Sequence, residues 1–263
     1  MESQERKGDL KGSPFSSIVA RINEANSKPD RRRELGLIEE VRIGFRFVKH
    51  GLHEVDRIVP GNDFYHPPVQ FLAMGFERIL KCMICMHFRE SNGSYPTKDS
   101  KLWPNSKRGH DLVFLKQKVT AFCIPLKGAS KEDDYAVLTN DKRVNALLRL
   151  LSEYGIGSRY YNLNALLLSD PSSDPMREYD RLTGDLAHAI HGDELLEEIS
   201  NPHTVEEAYR TMNREIKALV ERYIRALARQ FIFGSFQNQS RRFLSDLDPF
   251  YKLADKDLGV RCY

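Results

Sequence analysis

From Ile38 onward, apolar residues fall at Ile38, Val41, Phe45, Val48, Leu52, Val55 and Val59, in steps that alternate between three and four. That spacing places all seven on one stripe of a helix and gives a pleated strand no continuous apolar face. It is the seam of a helix packed nearly parallel or antiparallel to another. The spacing predicts an uninterrupted helix over residues 35–59, carried through Gly44 and Gly51 although each costs roughly 1 kcal/mol relative to alanine. Pro60-Gly61-Asn62 stops it.

The same period recurs along the chain. Leu72, Phe76, Ile79, Met83 and Met86 mark a second helix opening near Pro67-Pro68, and Leu112, Leu115, Val119 and Phe122 a third, ended before Pro125. Asn140 or Asp141 can cap a helix bearing Val144, Leu147, Leu148, Leu151 and Tyr154, with Gly155 placed to end it in the left-handed conformation. Asp174-Pro175 opens another, with Met176, Tyr179, Leu182, Leu186 and Ile190 inward. The longest spans residues 204–233, with Val205, Ala208, Met212, Ile216, Leu219, Tyr223, Leu227 and Phe231 in step. Residues 91–108 and 128–139 read as loops, and 158–168 as a short helix or irregular link. Strand-like alternation never lasts more than a few residues. The fold class expected is all-α, an up-and-down helical bundle.

Of the 263 residues, 41% are hydrophobic and 10% aromatic, enough for one core and too many for disorder. Residues 1–30 are polar and read as a mobile leader, with one short amphipathic turn around Ile18 and Ile22; residues 31–263 read as a single helical domain. No apolar run approaches the roughly 20 residues of a bilayer span, and the charged start at Met1 has no apolar segment behind it, so neither a membrane partner nor a secretory signal is expected. Four unevenly spread cysteines make no disulfide framework, which fits a cytoplasmic location. Net charge is +3, so any argument for nucleic acid must come from local clustering.

Cys82-Met83-Ile84-Cys85 has the gap of a zinc half-site, but it lies mid-helix on the apolar side and no second pair follows. Buried thiols without metal are expected there. Gly155-Ile156-Gly157-Ser158 lacks the strand and lysine of a phosphate loop, and no cofactor is implied. One basic cluster stands out. Between residues 204 and 242 lie Arg210, Arg214, Lys217, Arg222, Arg225, Arg229, Arg241 and Arg242 against Glu206, Glu207, Glu215 and Glu221. The first six are candidate RNA contacts. A solvated helix with local pairs such as Glu221–Arg225 accounts for such a cluster more often than RNA does, and a dimer contact competes with RNA equally.

The most informative stretch pairs Glu77 and Lys81, four apart on one helix face, with Gly109-His110-Asp111-Leu112 opening the next helix. Arg159 is the distant cation expected to meet a carboxylate there, making Glu77, Lys81, His110, Asp111 and Arg159 one polar cluster beside any ligand pocket. A helix cap plus a surface pair is the plainer alternative.

The Glu-x-x-x-Lys helix, the loop, and the Gly-His-Asp-Leu-x-x-Leu helix together resemble the HEPN superfamily over residues 67–190. The resemblance implies an HEPN-type bundle, here with an extra N-terminal helix and a long C-terminal one. It implies a homodimer, and RNA cleavage or nucleotide binding in a prokaryotic defence or toxin–antitoxin setting, with a nucleotidyltransferase-type or other protein partner. Active members use an Arg and a His separated by a gap of four to six residues, which supply a cation for phosphate and a base for the 2′-hydroxyl without metal. Arg46 to His53 and Arg181 to His188 meet that spacing, and Arg181 with His188 are the catalytic candidates because they sit in a later bundle helix. Leu182 follows Arg181 where active members carry a polar residue. Two functions stay open: non-catalytic binding of a nucleotide or partner protein, and an endoribonuclease.

Overall fold

The computed structural model describes residues 29–127, 131–167, 174–234, 236 and 242–263. The turn around Ile18 and Ile22, most of the polar leader, and Arg241 lie outside them. The chain falls into two units, residues 1–39 and 40–263, and their boundary lies within the first described helix. The helices are α1 (Pro29–Val55), α2 (His66–Asn92), α3 (Ser106–His110), α4 (Leu112–Thr120), α5 (Lys131–Thr139) and α6 (Lys142–Ile156). They continue with α7 (Tyr161–Leu166), α8 (Pro175–His191), α9 (Glu194–Ser200), α10 (Val205–Phe233) and α11 (Leu244–Tyr251). Short 3-10 turns stand at Lys98–Ser100, Ser158–Tyr160 and Asp255–Asp257. Among the described residues no strand occurs; Val59 and Asn62 form one isolated bridge. The protein is all-α.

The seam of α1 from Val41 to Val55 is buried, and Phe45 meets Phe231 and Phe250 edge-on or tilted. Gly44 and Gly51 are buried against α2, where Gly75 answers them. Their lost helix propensity is exchanged for backbone contact between two helices. Yet α1 runs 29–55, not 35–59. Pro29 stands at its first position with Asp30 in the first turn, both favourable there. At the far end Pro60 disfavours helical dihedrals at Val59, so the chain leaves through Arg57 N–H to Glu54 O and Ile58 N–H to Val55 O, and Ile58 is buried while Val59 is only half-buried.

Second, α2 ends at Gly93, whose φ of 69° and N–H to Arg89 O close its last turn. It packs on α4 and α6. The long loop expected at 91–108 holds a 3-10 turn and α3, which Asn105 caps by accepting the Arg108 N–H. Residues 131–139 are helical, not loop: Val137 and Leu138 are buried and Asp134 is drawn into the interior by arginines of α10. Long-range packing overrides the local polarity of that stretch. Gly155 stays helical, and α6 ends at Gly157 instead. On α8, Tyr179 and Leu186 are buried, Met176 and Leu182 half-buried, and Ile190 exposed.

From Leu219 to Phe231 nearly every residue of α10 is buried, so it is a core helix rather than a solvated amphipathic one. Lys217, Glu221, Arg225 and Arg229, each four residues on from the last, form a buried polar stripe along it. The segment after α11 lies along that stripe. Arg229 donates to the carbonyls of Tyr251 and Leu253, Arg225 to Asp255, Glu221 accepts from the Gly259 N–H and the Tyr263 hydroxyl, and Lys217 donates to the Arg261 carbonyl. Gly259 has φ 79°, and a β-carbon there would stand 2.5 Å from the Arg214 carbonyl. Among the described residues no helix is long and apolar enough to cross a membrane.

Candidate functional site

Glu77 stands on α2 with Lys81 one turn on, and its carboxylate is shared. Lys81 Nζ lies 2.6 Å from Oε1, and His110 Nδ1 lies 2.9 Å from Oε2. A carboxylate only accepts, so Nδ1 carries the proton and Nε2 of a neutral His110 is left as an acceptor on a side chain that is 48% exposed. The Trp103 ring lies 5.2 Å from the Lys81 ammonium. Asp111 ends α3 and caps α4, its Oδ1 accepting the Phe114 N–H at 2.9 Å, and Oδ2 is 3.5 Å from Arg108. Glu77, Lys81 and His110 are therefore brought together. Asp111 serves as the cap, and Arg159 is exposed elsewhere, stacked 4.9 Å from the Tyr160 ring.

The two members of the Arg/His pair on α8 have separate partners. Arg181 bonds Glu178 one turn back at 2.5 Å, while His188 Nε2 lies 3.0 Å from Asp193 beyond the helix end. A groove of about 780 Å³ runs between α6 and α8. Leu150 and Leu182 line it together with Arg149, Glu178, Arg181 and Asp185; His188 lies outside the lining. The other spaced pair, Arg46 and His53, rides α1.

Of the six candidate RNA contacts, three are buried. Lys217 is 3% exposed and bonds both oxygens of Asp56, and Arg225 and Arg229 are bonded to Asp134. Glu221 turns to Gly259 and Tyr263 instead of to Arg225. A stripe of long polar side chains at four-residue spacing reads alike in sequence whether water or a returning chain segment covers it. Arg210 remains exposed between Glu206 and Glu207, Arg214 is exposed, and Arg222 is half-buried.

Cys82 and Cys123 are buried free thiols and Cys85 is half-buried; burial pushes Cys85 up to about 11 and Cys123 to about 12. No three His, Cys, Asp or Glu side chains among the described residues are grouped to hold a metal ion. The sequence reading passed over one further place, a small pocket joining Asp63 and Tyr65 to Tyr179, Asp180 and Tyr209. Asp63 and Asp180 lie far apart in the chain, and only the packing of α8 beside the turn after α1 joins them. No family model matches this chain, and neither the curated proteins nor the solved structures contain a match to it.

Proposed function

We propose that this is an HEPN-like helical protein that binds a partner protein in the groove between α6 and α8 without cleaving RNA. What carries the reading is an exposed apolar run at the end of that groove. Ile156, Tyr160, Leu163, Leu166 and Leu167 are between 42 and 79% exposed, within one short stretch that leaves the groove at Gly157 and Ser158. Apolar surface of that kind marks an interaction site on a soluble chain. The groove is of ligand size, with Leu150 and Leu182 on its walls.

Charge selects the class of partner. Arg149 and Arg181 face Glu153, Glu178 and Asp185, a formal balance of two cations against three carboxylates. Phosphates want surplus positive charge, and Arg181 is already engaged by Glu178. An amphipathic helix with an apolar stripe and flanking residues of both signs suits the groove better than a nucleotide does. The HEPN resemblance, with its protein partners, supports the same reading.

The test uses fluorescent amphipathic helical peptides with a leucine stripe and mixed flanking charge. Binding measured by anisotropy is expected for the native protein and lost in Leu182→Glu. A nucleotide panel should leave the melting temperature unmoved. Cleavage of total RNA that disappears in His188→Ala, or a nucleotide-dependent rise in melting temperature with no peptide binding, overturns the proposal.

A further inference from the structure

A pocket of about 40 Å³ lies between the turn that follows α1, the start of α8, and α10. Asp63 and Asp180 put two carboxylates on it, and Tyr65, Tyr179 and Tyr209 supply aromatic walls. Tyr65 and Tyr179 stack with ring centroids 5.8 Å apart at 24°. No lysine, arginine or histidine among the described residues lines it. The nearby Asp174 has its own cation, Arg177, at 3.6 Å. Burial, followed by the charges of Asp63 and Asp174, pushes the Asp180 carboxyl up. Burial, followed by Asp174, Tyr154, Asp180 and Asp63, pushes Tyr65 up to about 12.

The polar groups around the pocket define what it can bind. Tyr179 is 4% exposed, and its hydroxyl has no hydrogen-bond partner. Buried hydroxyls are rarely left so, because the lost hydration is not replaced. Asn213 gives its amide N–H to the Ile58 carbonyl at 2.8 Å, leaving its oxygen as an acceptor. Thr183 gives its hydroxyl to the carbonyls of Tyr179 and Asp180. Asp63, Asp180 and the Asn213 oxygen offer acceptors, while the Thr183 hydroxyl and one Asn213 N–H are committed to backbone carbonyls.

A divalent metal is a poor fit, since no three carboxylate, thiol or imidazole ligands among the described residues converge. A compact cation with several N–H donors and a short apolar stem answers every feature. We propose that this pocket binds the ammonium end of an aliphatic amine, with Asp63 and Asp180 balancing its charge, the Tyr179 hydroxyl accepting one N–H, and the tyrosine rings enclosing its first methylenes. The volume exceeds the roughly 10–15 Å³ that one water occupies on the same measure, leaving room for such a head group. Ring faces add cation–π attraction that a neutral alcohol would not gain.

Titration calorimetry and thermal melts of the whole protein with n-butylammonium chloride test this, at constant ionic strength, against sodium chloride, n-butanol and magnesium chloride. A saturable heat and a rise in melting temperature are expected with the amine alone. Asp180→Asn and Tyr179→Phe should each weaken it by at least about tenfold, the size expected for loss of a hydrogen bond to a charged group. Glu197→Gln, an exposed carboxylate on α9, should bind as the native protein does. Tyr179→Phe keeps the shape of the buried ring, so a folded variant is available even if Asp180→Asn melts early. Absence of saturable amine binding, equal binding by Tyr179→Phe, or an equal response to n-butanol or magnesium overturns the assignment.

Discussion

Gly75 lies so close to Gly44 that a β-carbon on Gly75 would stand 2.9 Å from the Gly44 carbonyl oxygen and 2.7 Å from a methyl of Val48. Backbone cannot yield as a flexible side chain can, so α1 and α2 would have to separate along a buried seam. Gly75→Ala is expected to lower stability by about 1–3 kcal/mol, as overpacking does. Gly184 on α8 has nothing within 4 Å of the same position and no positive φ. There Gly184→Ala should raise stability by about 0.4–1 kcal/mol by restricting the unfolded chain. Urea midpoints of the two variants should move in opposite directions; movement in the same direction contradicts the packing described.

Asp180 gives a pH dependence whose sign follows from its raised pKa, caused by burial and then by Asp63 and Asp174. The folded chain holds a proton at this position more tightly than the unfolded chain does. Without amine, stability therefore falls as pH rises from the ordinary aspartate range through the folded pKa. Asp180→Asn has no charge to bury. It should be more stable than the native protein at pH 7, with the difference vanishing as pH falls toward about 4, the ordinary aspartate pKa. Melts across pH 4 to 8 would show the two curves converging in acid; parallel curves would mean that Asp180 is solvated as freely in the folded chain as in the unfolded one.

Helix caps separate neighbouring residues that the sequence alone left equivalent. Asp141 accepts the N–H groups of Arg143 and Val144, at 2.8 and 3.3 Å, ahead of α6. Burial pushes its carboxyl up, but those N–H bonds and the Arg143 guanidinium outweigh it and hold the group below its usual value. Asp141→Ala should cost about 1 kcal/mol. Asn140→Ala should cost nearly nothing, and an equal loss in both would show the cap to be misplaced.

These caps show which features are legible in one sequence. Asp141 and Asp174 act within three residues, and the apolar steps of α1, α2, α6 and α10 span three or four, so the helices could be read directly. What was misread depends on distant residues. Polar residues 131–139 become a helix because Asp134 meets α10, and the cations at 217, 225 and 229 are interior because the segment after α11 covers them. Glu77 and His110 could be paired in advance because α2, which bears Glu77, shares an apolar face with α4, which begins two residues after His110. Asp63 and Tyr179 share no motif, and only the folded chain joins them.

Thiol reactivity should rank the four cysteines by burial. Cys262 is exposed, Cys85 half-buried, and Cys82 and Cys123 buried. Burial, opposed in part by Lys81, holds the Cys85 thiol at about 11, which leaves little thiolate at pH 8. Treatment with a disulfide reagent at pH 8 should modify Cys262 first and Cys85 slowly, with Cys82 and Cys123 reacting only on unfolding. Prompt modification of Cys82 would show that the apolar face of α2 opens.

Asp134 carries the largest single loss expected. Its side chain is 1% exposed and lies between Arg225 and Arg229, themselves 2% and 9% exposed. Removing the carboxylate leaves two guanidiniums inside the protein without the charge that lies between them, although their bonds to Asp255 and to the carbonyls of Tyr251 and Leu253 remain. Stranding a buried charge in this way costs about 3–5 kcal/mol. Asp255 is 65% exposed, and Asp255→Ala leaves Arg225 its bond to Asp134, so that loss should stay below about 1 kcal/mol. Replacing all three, as Asp134→Leu with Arg225→Met and Arg229→Met, removes the stranded charges but still deprives the Tyr251 and Leu253 carbonyls of their donors. Stability of the triple variant should therefore exceed that of Asp134→Ala yet stay below the native protein. Equal urea midpoints for Asp134→Ala and Asp255→Ala would show that the buried carboxylate is not what holds α5 and the segment after α11 against α10.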